Sequence, residues 1–335
     1  MSETDNFPKQ IPANLMAEFH PTWILPNGHF LRDEGLPMGG SFVLGEPQNK
    51  FLGNAVEYDR SGIKLWNTNF LGPVQIKDVA VVGDQIFILT VEYGPLHYEH
   101  ETGALSWYCY IFVKCSPIET PDPAKWVRGK YQLQQCNEST KQCNILKTFD
   151  GGVLRIVGVN GVLWTVEFDY SDLHGRHLPT APAVVALNRY QLSPFVLAAS
   201  TPAKGVIDIE ATSDGGALVE QFYATERPPG IYNFSEQQNE KNQKIGTMEP
   251  FGILSNPKAP FQPLCANFRY IGKSNETVCV ASGAAVYSIA LLRRDGTYVQ
   301  SKDQSLTPPL QLSDGRVLVT NQSGKIIDIH DALGE

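Results

Sequence analysis

Three stretches decide how this chain folds: IKDVAVVGDQIFILTVEYG (76–94), LRIVGVNGVLWTVEFDY (154–170) and VIDIEATSDGGALVEQFYAT (206–225). Each is a run rich in Val, Ile and Leu, a tight turn built on Gly, Asp or Asn, and a second run that closes on Val-Glu followed by an aromatic residue. Such runs between turn residues read as hairpins of two strands. FRYIGKSNETVCVASG (268–283) and LQLSDGRVLVTNQSG (310–324) keep the hairpin and lose the Glu. A second phrase, strand, polar turn, Gly, strand, follows several of these hairpins: GNAVEYDRSGIKLW (53–66), AVYSIALLRRDGTYV (285–299) and GKIIDIHDALG (324–334). One hairpin and one such phrase make a four-stranded antiparallel unit, and units repeating at a period of tens of residues mean a propeller.

Hairpins fall near 22–47, 74–93, 153–169, 206–224, 266–283 and 309–323. This predicts an all-β, six-bladed β-propeller of four-stranded antiparallel blades forming one domain over 1–335. The last unit reaches Glu335 after three strands. Its outer strand is therefore expected from the N-terminal segment LMAEFHPTWIL (15–25), which joins the last blade and closes the ring without exposed sheet edges.

The 335 residues carry 42% hydrophobic and 19% charged side chains, a net charge of −8 and a pI near 5.4. That composition excludes disorder, and the acidic balance excludes the basic footprint that nucleic acids and anionic membranes require. No run approaches the ~20 apolar residues of a membrane span. Cys109, Cys115, Cys136, Cys143, Cys265 and Cys279 form no C-x-x-C, so a zinc site has no support. Cys136 and Cys143 bracket NESTKQ, a hairpin loop whose ends suit a disulfide. Sequons at Asn137, Asn233, Asn275 and Asn321 add to the expectation of a mature, glycosylated secretory-pathway chain; the alternative is a cytosolic chain with buried thiols.

Six blades leave about 56 residues each, above the ~40–50 of compact propeller repeats. The surplus is expected in three second-to-third-strand loops, 94–106, 171–182 and 226–247, on one face of the molecule. Two His-x-x-His pairs, His97/His100 and His174/His177, lie in corresponding loops of adjacent units. Together with Glu92 and Glu167, which close second strands, they form the candidate acid–base set. Tyr93, Tyr98, Trp164, Tyr170, Phe222 and Tyr232 supply aromatic candidates for the walls of a cup. Glu220 and the inner-strand residues Arg155 and Asp208, with Asp78 and Glu210, are polar candidates at the channel. No phosphate loop, G-x-S-x-G, H-E-x-x-H or calcium loop is present, so neither cofactor nor metal is expected.

In its repeat phrase the chain resembles six-bladed propellers with PQQ-like repeats. In length, six-blade closure, scattered cysteines, sequons and a cofactor-free aromatic face, it is similar to the fungal hetero-Diels-Alderases of tropolone sesquiterpenoid biosynthesis. That resemblance implies terpenoid secondary-metabolite chemistry on a bulky organic substrate. A hydroxylated tropolone loses water to a quinone methide, a terpene alkene adds across it, and the named His and Glu residues assist the dehydration. Two other readings stay open: a propeller hydrolase or lactonase with metal in its channel, and a non-catalytic binding platform.

Overall fold

The structure, a computed structural model, describes residues 7–16, 22–34, 54–69, 74–92, 131–137, 139–140, 142–168, 184–204, 206–212, 216–221, 230–238, 244–253, 267–271, 276–282, 287–293, 297–312 and 315–334. Short helix α1 (Ala13–Met16) precedes the first sheet, β1 (Thr22–Ile24), β2 (Phe30–Asp33), β3 (Asn54–Tyr58) and β4 (Lys64–Asn69). The second sheet is β5 (Val74–Val82), β6 (Gln85–Glu92), β7 (Tyr131–Asn137) and β8 (Gln142–Phe149). The third is β9 (Gly152–Val159), β10 (Val162–Phe168), β11 (Val184–Leu192) and β12 (Phe195–Lys204). The fourth is β13 (Val206–Ala211), β14 (Ala217–Gln221), β15 (Gly230–Gln238) and β16 (Lys244–Ile253). The fifth is β17 (Asn267–Ile271), β18 (Glu276–Ser282), β19 (Tyr287–Arg293) and β20 (Tyr298–Ser305). A last sheet, β21 (Leu310–Gln311), β22 (Val317–Thr320) and β23 (Ile326–Asp328), ends in helix α2 (Ile329–Leu333).

Within every sheet consecutive strands pair antiparallel, so each is a simple meander. First strands then pack on first strands, β5 on β9, β9 on β13, β13 on β17 and β17 on β21, which places them around a channel. This is a β-propeller of small antiparallel sheets. Among the described residues five blades have four strands, not the six read from the repeats, and the last sheet has only three. The proposed donor segment is also corrected. Thr22–Ile24 of that segment is the first strand of the first blade. The last sheet instead bonds to the residues before α1: Ile11 N donates to Gly324 O at 2.8 Å and Ile326 N to Lys9 O at 2.9 Å, around one bridge between Gln10 and Lys325. Three residues carrying one bridge are too few to make a fourth strand.

Why the hairpins were readable is visible in the burial. In β6, Ile86, Phe87, Ile88, Leu89 and Val91 are all buried, because a second strand is covered on both faces by the neighbouring blades. Such a strand reads as a continuous apolar run rather than an alternation. Exposure rises toward the blade edge, and the outer strand β8 is mostly exposed or half-buried. Turn chemistry fixes the register. Asn160 (φ 47°) and Gly161 (φ 76°) both occupy the left-handed region, the two-residue geometry that Asn-Gly favours between β9 and β10. Gly158 serves packing instead: a Cβ there would lie 2.3 Å from Val82 Cγ2, so β9 approaches β5 only because the side chain is missing.

Apolar clusters lie between blades. Trp23, Leu31 and Trp66 of the first blade pack on Ile76, Ile86 and Ile88 of the second. Phe87, Leu89 and Tyr131 of the second pack on Val153, Leu163 and Tyr190 of the third. Ile11, Leu15, Phe30 and Val56 join Leu318 and Ile326, tying the first blade to the last sheet. The third long loop, 226–247, is not a loop, since it contains all of β15 and the start of β16. Asn233 and Asn137, two of the sequon residues, lie within strands.

The expected disulfide is present. Cys136 and Cys143 face each other across β7 and β8 and are bonded, with Cα atoms 4.0 Å apart. In the chain-entropy picture a bridge closing so short a loop is worth about 2 kcal/mol. Replacing both by Ser should lower unfolding free energy by about that amount in urea titration. A change near zero would show that the crosslink adds nothing to the hairpin turn.

Candidate active site in the channel

Along the channel four ionisable side chains from three adjacent first strands meet. Arg155 on β9 is 4% exposed, Asp78 on β5 4%, Asp208 on β13 1% and Glu210 on β13 9%. Arg155 Nη1 donates to Asp78 Oδ1 at 2.9 Å, Arg155 Nε lies 3.2 Å from Asp208 Oδ1, and Nη2 lies 3.9 Å from Glu210 Oε2. Backbone groups complete the acids. Ile156 N donates to Asp78 Oδ2 at 2.9 Å, so the Asp of one blade holds the first strand of the next. Asp33 repeats the device one blade earlier, accepting from Ile76 N at 2.8 Å. Ile209 N donates to Asp208 Oδ1 at 2.8 Å and Ala211 N to Glu210 Oε1 at 3.2 Å.

Three carboxyls around one guanidinium cannot all ionise cheaply away from water. Burial pushes Asp78 up, against the pull of Arg155. Glu210 is pushed up to about 8, by burial first; Arg155 opposes the rise, while Asp208 and Asp78 add to it. Glu210 therefore carries its proton at neutral pH. For Arg155, burial acts to lower the value, and the fields of Asp78, Asp208 and Glu210 outweigh it, so the guanidinium stays charged.

Directly beyond this network the channel widens into a cavity of about 700 Å³. That volume lies within the roughly 300–1,000 Å³ of small-molecule sites. Its walls are largely apolar and come from the ends of the first strands: Trp23 and Leu25 beside β1, Val79 and Val81 on β5, Ile156 and Val157 on β9, with Pro309 and Leu310 of the last sheet. Glu210 is the one ionisable side chain among the described residues lining it. The strands end there in their first-to-second turns, so this cavity opens toward that side and not toward the second-to-third loops.

Of the residues singled out from sequence, Arg155 and Asp208 meet in the network. Glu220 lies buried on β14, opposite Asp208 in register. Trp164 and Tyr232 are 2% and 1% exposed and sit in the apolar cluster between the third and fourth blades. Glu167 lies between the second and third blades, away from the channel network. Its Oε1 accepts from Thr165 Oγ1 at 2.6 Å and from Tyr190 Oη at 2.8 Å, and Lys147 Nζ lies 3.8 Å from Oε2. Tyr190 Oη also accepts from Lys147 at 2.5 Å. Burial, and then the Glu167 charge, hold the Tyr190 phenol well above its ordinary range. Glu92 ends β6. His97, His100, His174, His177, Tyr93, Tyr98, Tyr170 and Phe222 lie outside the described residues.

Sequence reasoning missed two features. One is Glu210 as the carboxyl of a cavity, although its place on an inner strand was noted. The other is Glu57, fully buried on β3, which accepts from Trp66 Nε1 and from His29 Nδ1 at 2.6 Å. The signal was in GNAVEYDRSGIKLW itself, where an acid inside an apolar strand faces, across one turn, a Trp whose N–H needs an acceptor. Among the described residues no three His, Cys, Asp or Glu side chains are grouped to hold a metal ion.

Fold and site together define a β-propeller whose channel holds a buried Arg–carboxyl network beneath an apolar cavity. The sequence matches no protein-family model and no curated protein. Similar solved structures include TolB from Acinetobacter baumannii, at 12% identity and TM-score 0.41, covering 84% of this chain and 59% of that one. Others are KlAtg21 in complex with the coiled coil of AgAtg16, at 12% identity and TM-score 0.49 over 90% and 76% of the two chains, and an oligogalacturonate lyase in complex with manganese, at 10% identity and TM-score 0.39 over 96% of each. This chain thus spans less than two thirds of the TolB it resembles. Among the described residues no helix is long and apolar enough to cross a membrane.

Proposed function

We propose that the chain is an enzyme that takes a bulky, mostly apolar organic molecule into the channel cavity and acts on it by general acid chemistry at Glu210. The observation that carries this reading is a single carboxyl, protonated at neutral pH, in the wall of an otherwise apolar cavity of about 700 Å³. An acid whose proton is held at about 8 has the strength suited to proton transfer near neutrality.

The reaction follows the sequence resemblance: dehydration of a hydroxylated tropolone and capture of the product by a terpene alkene. Glu210 gives its proton to the departing hydroxyl, the C–O bond breaks and water leaves. The tropolone O–H proton returns to the Glu210 carboxylate, leaving a neutral quinone methide. The alkene then adds across it, forming one C–C and one C–O bond with no other product. Holding the two partners in one orientation is worth roughly 7–11 kcal/mol of barrier, and the apolar walls keep water from quenching the quinone methide. Incubation with a hydroxymethyl tropolone and a humulene-type alkene should give the dihydropyran faster than buffer does, and with one stereoisomer dominant. The same rate and product ratio as buffer alone would overturn the reaction.

A further inference from the structure

In an antiparallel ladder alternate residues turn their N–H and C=O toward the partner strand and away from it. On β9 the away-facing set is fixed by Ile156, whose N–H donates to Asp78 Oδ2 of the neighbouring blade at 2.9 Å. Pairing with β10 runs without a shift from Arg155 to Val159, so Gly158, two residues on, turns the same way. Gly158 lines the channel cavity and is half-buried. With no side chain, what it shows there is backbone. The direction a Cβ would take is filled by Val82 Cγ2, 2.3 Å from where that atom would sit, which leaves the N–H and C=O to face the cavity. Elsewhere on the first strands acids already hold such N–H groups: Asp78 Oδ1 accepts from Val79 N, Asp208 Oδ1 from Ile209 N and Glu210 Oε1 from Ala211 N. Gly158 follows Val157, which offers no such acceptor.

We propose that Gly158 is a backbone seat for a ligand carrying a carbonyl and a hydroxyl on neighbouring carbons. The inference deepens the function proposed above, rests on that reading of the cavity, and names how its tropolone is held. One strand residue presents a donor and an acceptor side by side, the arrangement by which facing residues of an antiparallel pair exchange two bonds. The ligand carbonyl accepts from Gly158 N–H, and the ligand hydroxyl donates to Gly158 C=O. An extended peptide asks for a longer run of such groups. Here the Ile156 N–H is already taken, and the turn begins at Asn160. A hydrocarbon offers neither partner. A carboxylate finds the donor but sets its charge against the Gly158 carbonyl. Two bonds to one strand also fix the orientation of the ring, which a reaction giving one dominant stereoisomer needs.

The test titrates tropolone, 2-methoxytropone and cycloheptatriene into the full chain in mildly acidic buffer, where tropolone keeps its proton. Tryptophan fluorescence reports binding, since Trp23 lines the cavity. Tropolone should bind roughly tenfold more tightly than its methyl ether, which lacks the donor, the worth of one good hydrogen bond. Two double variants separate the seat from the packing around it. Val82→Ala with Gly158→Ala makes room for a Cβ and keeps the N–H. Val82→Ala with Gly158→Pro removes the N–H, and because that N–H points away from β10 the ladder is kept. The Pro pair should bind tropolone roughly tenfold more weakly than the Ala pair, and cycloheptatriene, which uses neither group, equally well. If the Pro pair does not fold, the comparison of tropolone with its methyl ether on the parent chain decides alone. Equal binding of those two probes, equal tropolone binding by the two pairs, a parallel loss of cycloheptatriene in the Pro pair, or no binding of tropolone at all would overturn the seat. Turnover of the hydroxymethyl tropolone with no preference between the probes would keep the proposed reaction and remove the seat. Preference without turnover would do the reverse.

Discussion

Arg155→Met should unfold at markedly lower urea than the parent, with a loss of about 3–5 kcal/mol, the range for removing one partner from a buried charge cluster. The side chain is 4% exposed and, among the described residues, is the cation paired with Asp78, Asp208 and Glu210. Methionine fills the aliphatic volume but removes the Arg155 charge from two aspartates that are both at least 96% buried. The prediction has an internal control. If the loss is electrostatic, adding Asp78→Asn and Asp208→Asn to Arg155→Met should restore much of it, because those carboxylates were what the cation compensated. Equal stability of the single and triple variants would sink that account and assign the effect to packing. Destabilisation below about 1 kcal/mol would mean that water reaches the network and screens it.

How the sequence encodes this arrangement differs between the blades and the site. Second strands such as β6 are legible because they are buried on both faces, which forces an uninterrupted apolar run over 86–89, and the Asn160–Gly161 turn announces itself by a backbone requirement few residues meet. All six hairpins were read from such local signals, and the outer limit of the first was set too far, since β2 ends at Asp33. The blade count failed for a non-local reason. Whether a last unit of three strands becomes a blade depends on what a distant segment contributes, and three residues around Gln10 contribute one bridge. The site behaves likewise. Asp78, Arg155 and Asp208 were each visible as polar residues on inner strands, but nothing in their spacing says that residues 77 and 53 positions apart come to one point. Only the shared position in each repeat does so. Glu220 and Glu167 occupy matching places in their hairpins, yet the first is buried in β14 opposite Asp208 while the second lies between blades with Lys147 and Tyr190. Equivalent positions in a repeat acquire different surroundings when neighbouring repeats differ.

That distinction decides the expected behaviour of Trp164, an aromatic that sequence alone places among substrate-binding candidates. Its indole is 2% exposed and packs with Val157, Val166 and Leu187 of its own blade against Ile209, Val219 and Tyr232 of the next. It meets Phe234 edge to face at 5.8 Å, and the Arg189 guanidinium lies 5.8 Å from its ring. Truncating a large aromatic in such a seam removes its transfer free energy and leaves a cavity between two blades that cannot close without moving whole sheets. Trp164→Ala should therefore cost about 3–5 kcal/mol, and Trp164→Phe, which keeps a ring against Phe234, distinctly less. Trp164 is not part of the cavity wall, whereas its cluster neighbours Val157 and Ala211 are. Measured on folded protein, the KM for the hydroxymethyl tropolone should accordingly stay within about twofold of the parent in Trp164→Phe, a change under 0.5 kcal/mol. If instead Trp164→Phe kept its stability and lost substrate affinity, the indole would be a ligand contact and the cavity would have to extend into the seam between the third and fourth blades. Stability lost with affinity kept would make the seam the wall that gives the cavity its shape, and would confine ligand contact to the first strands.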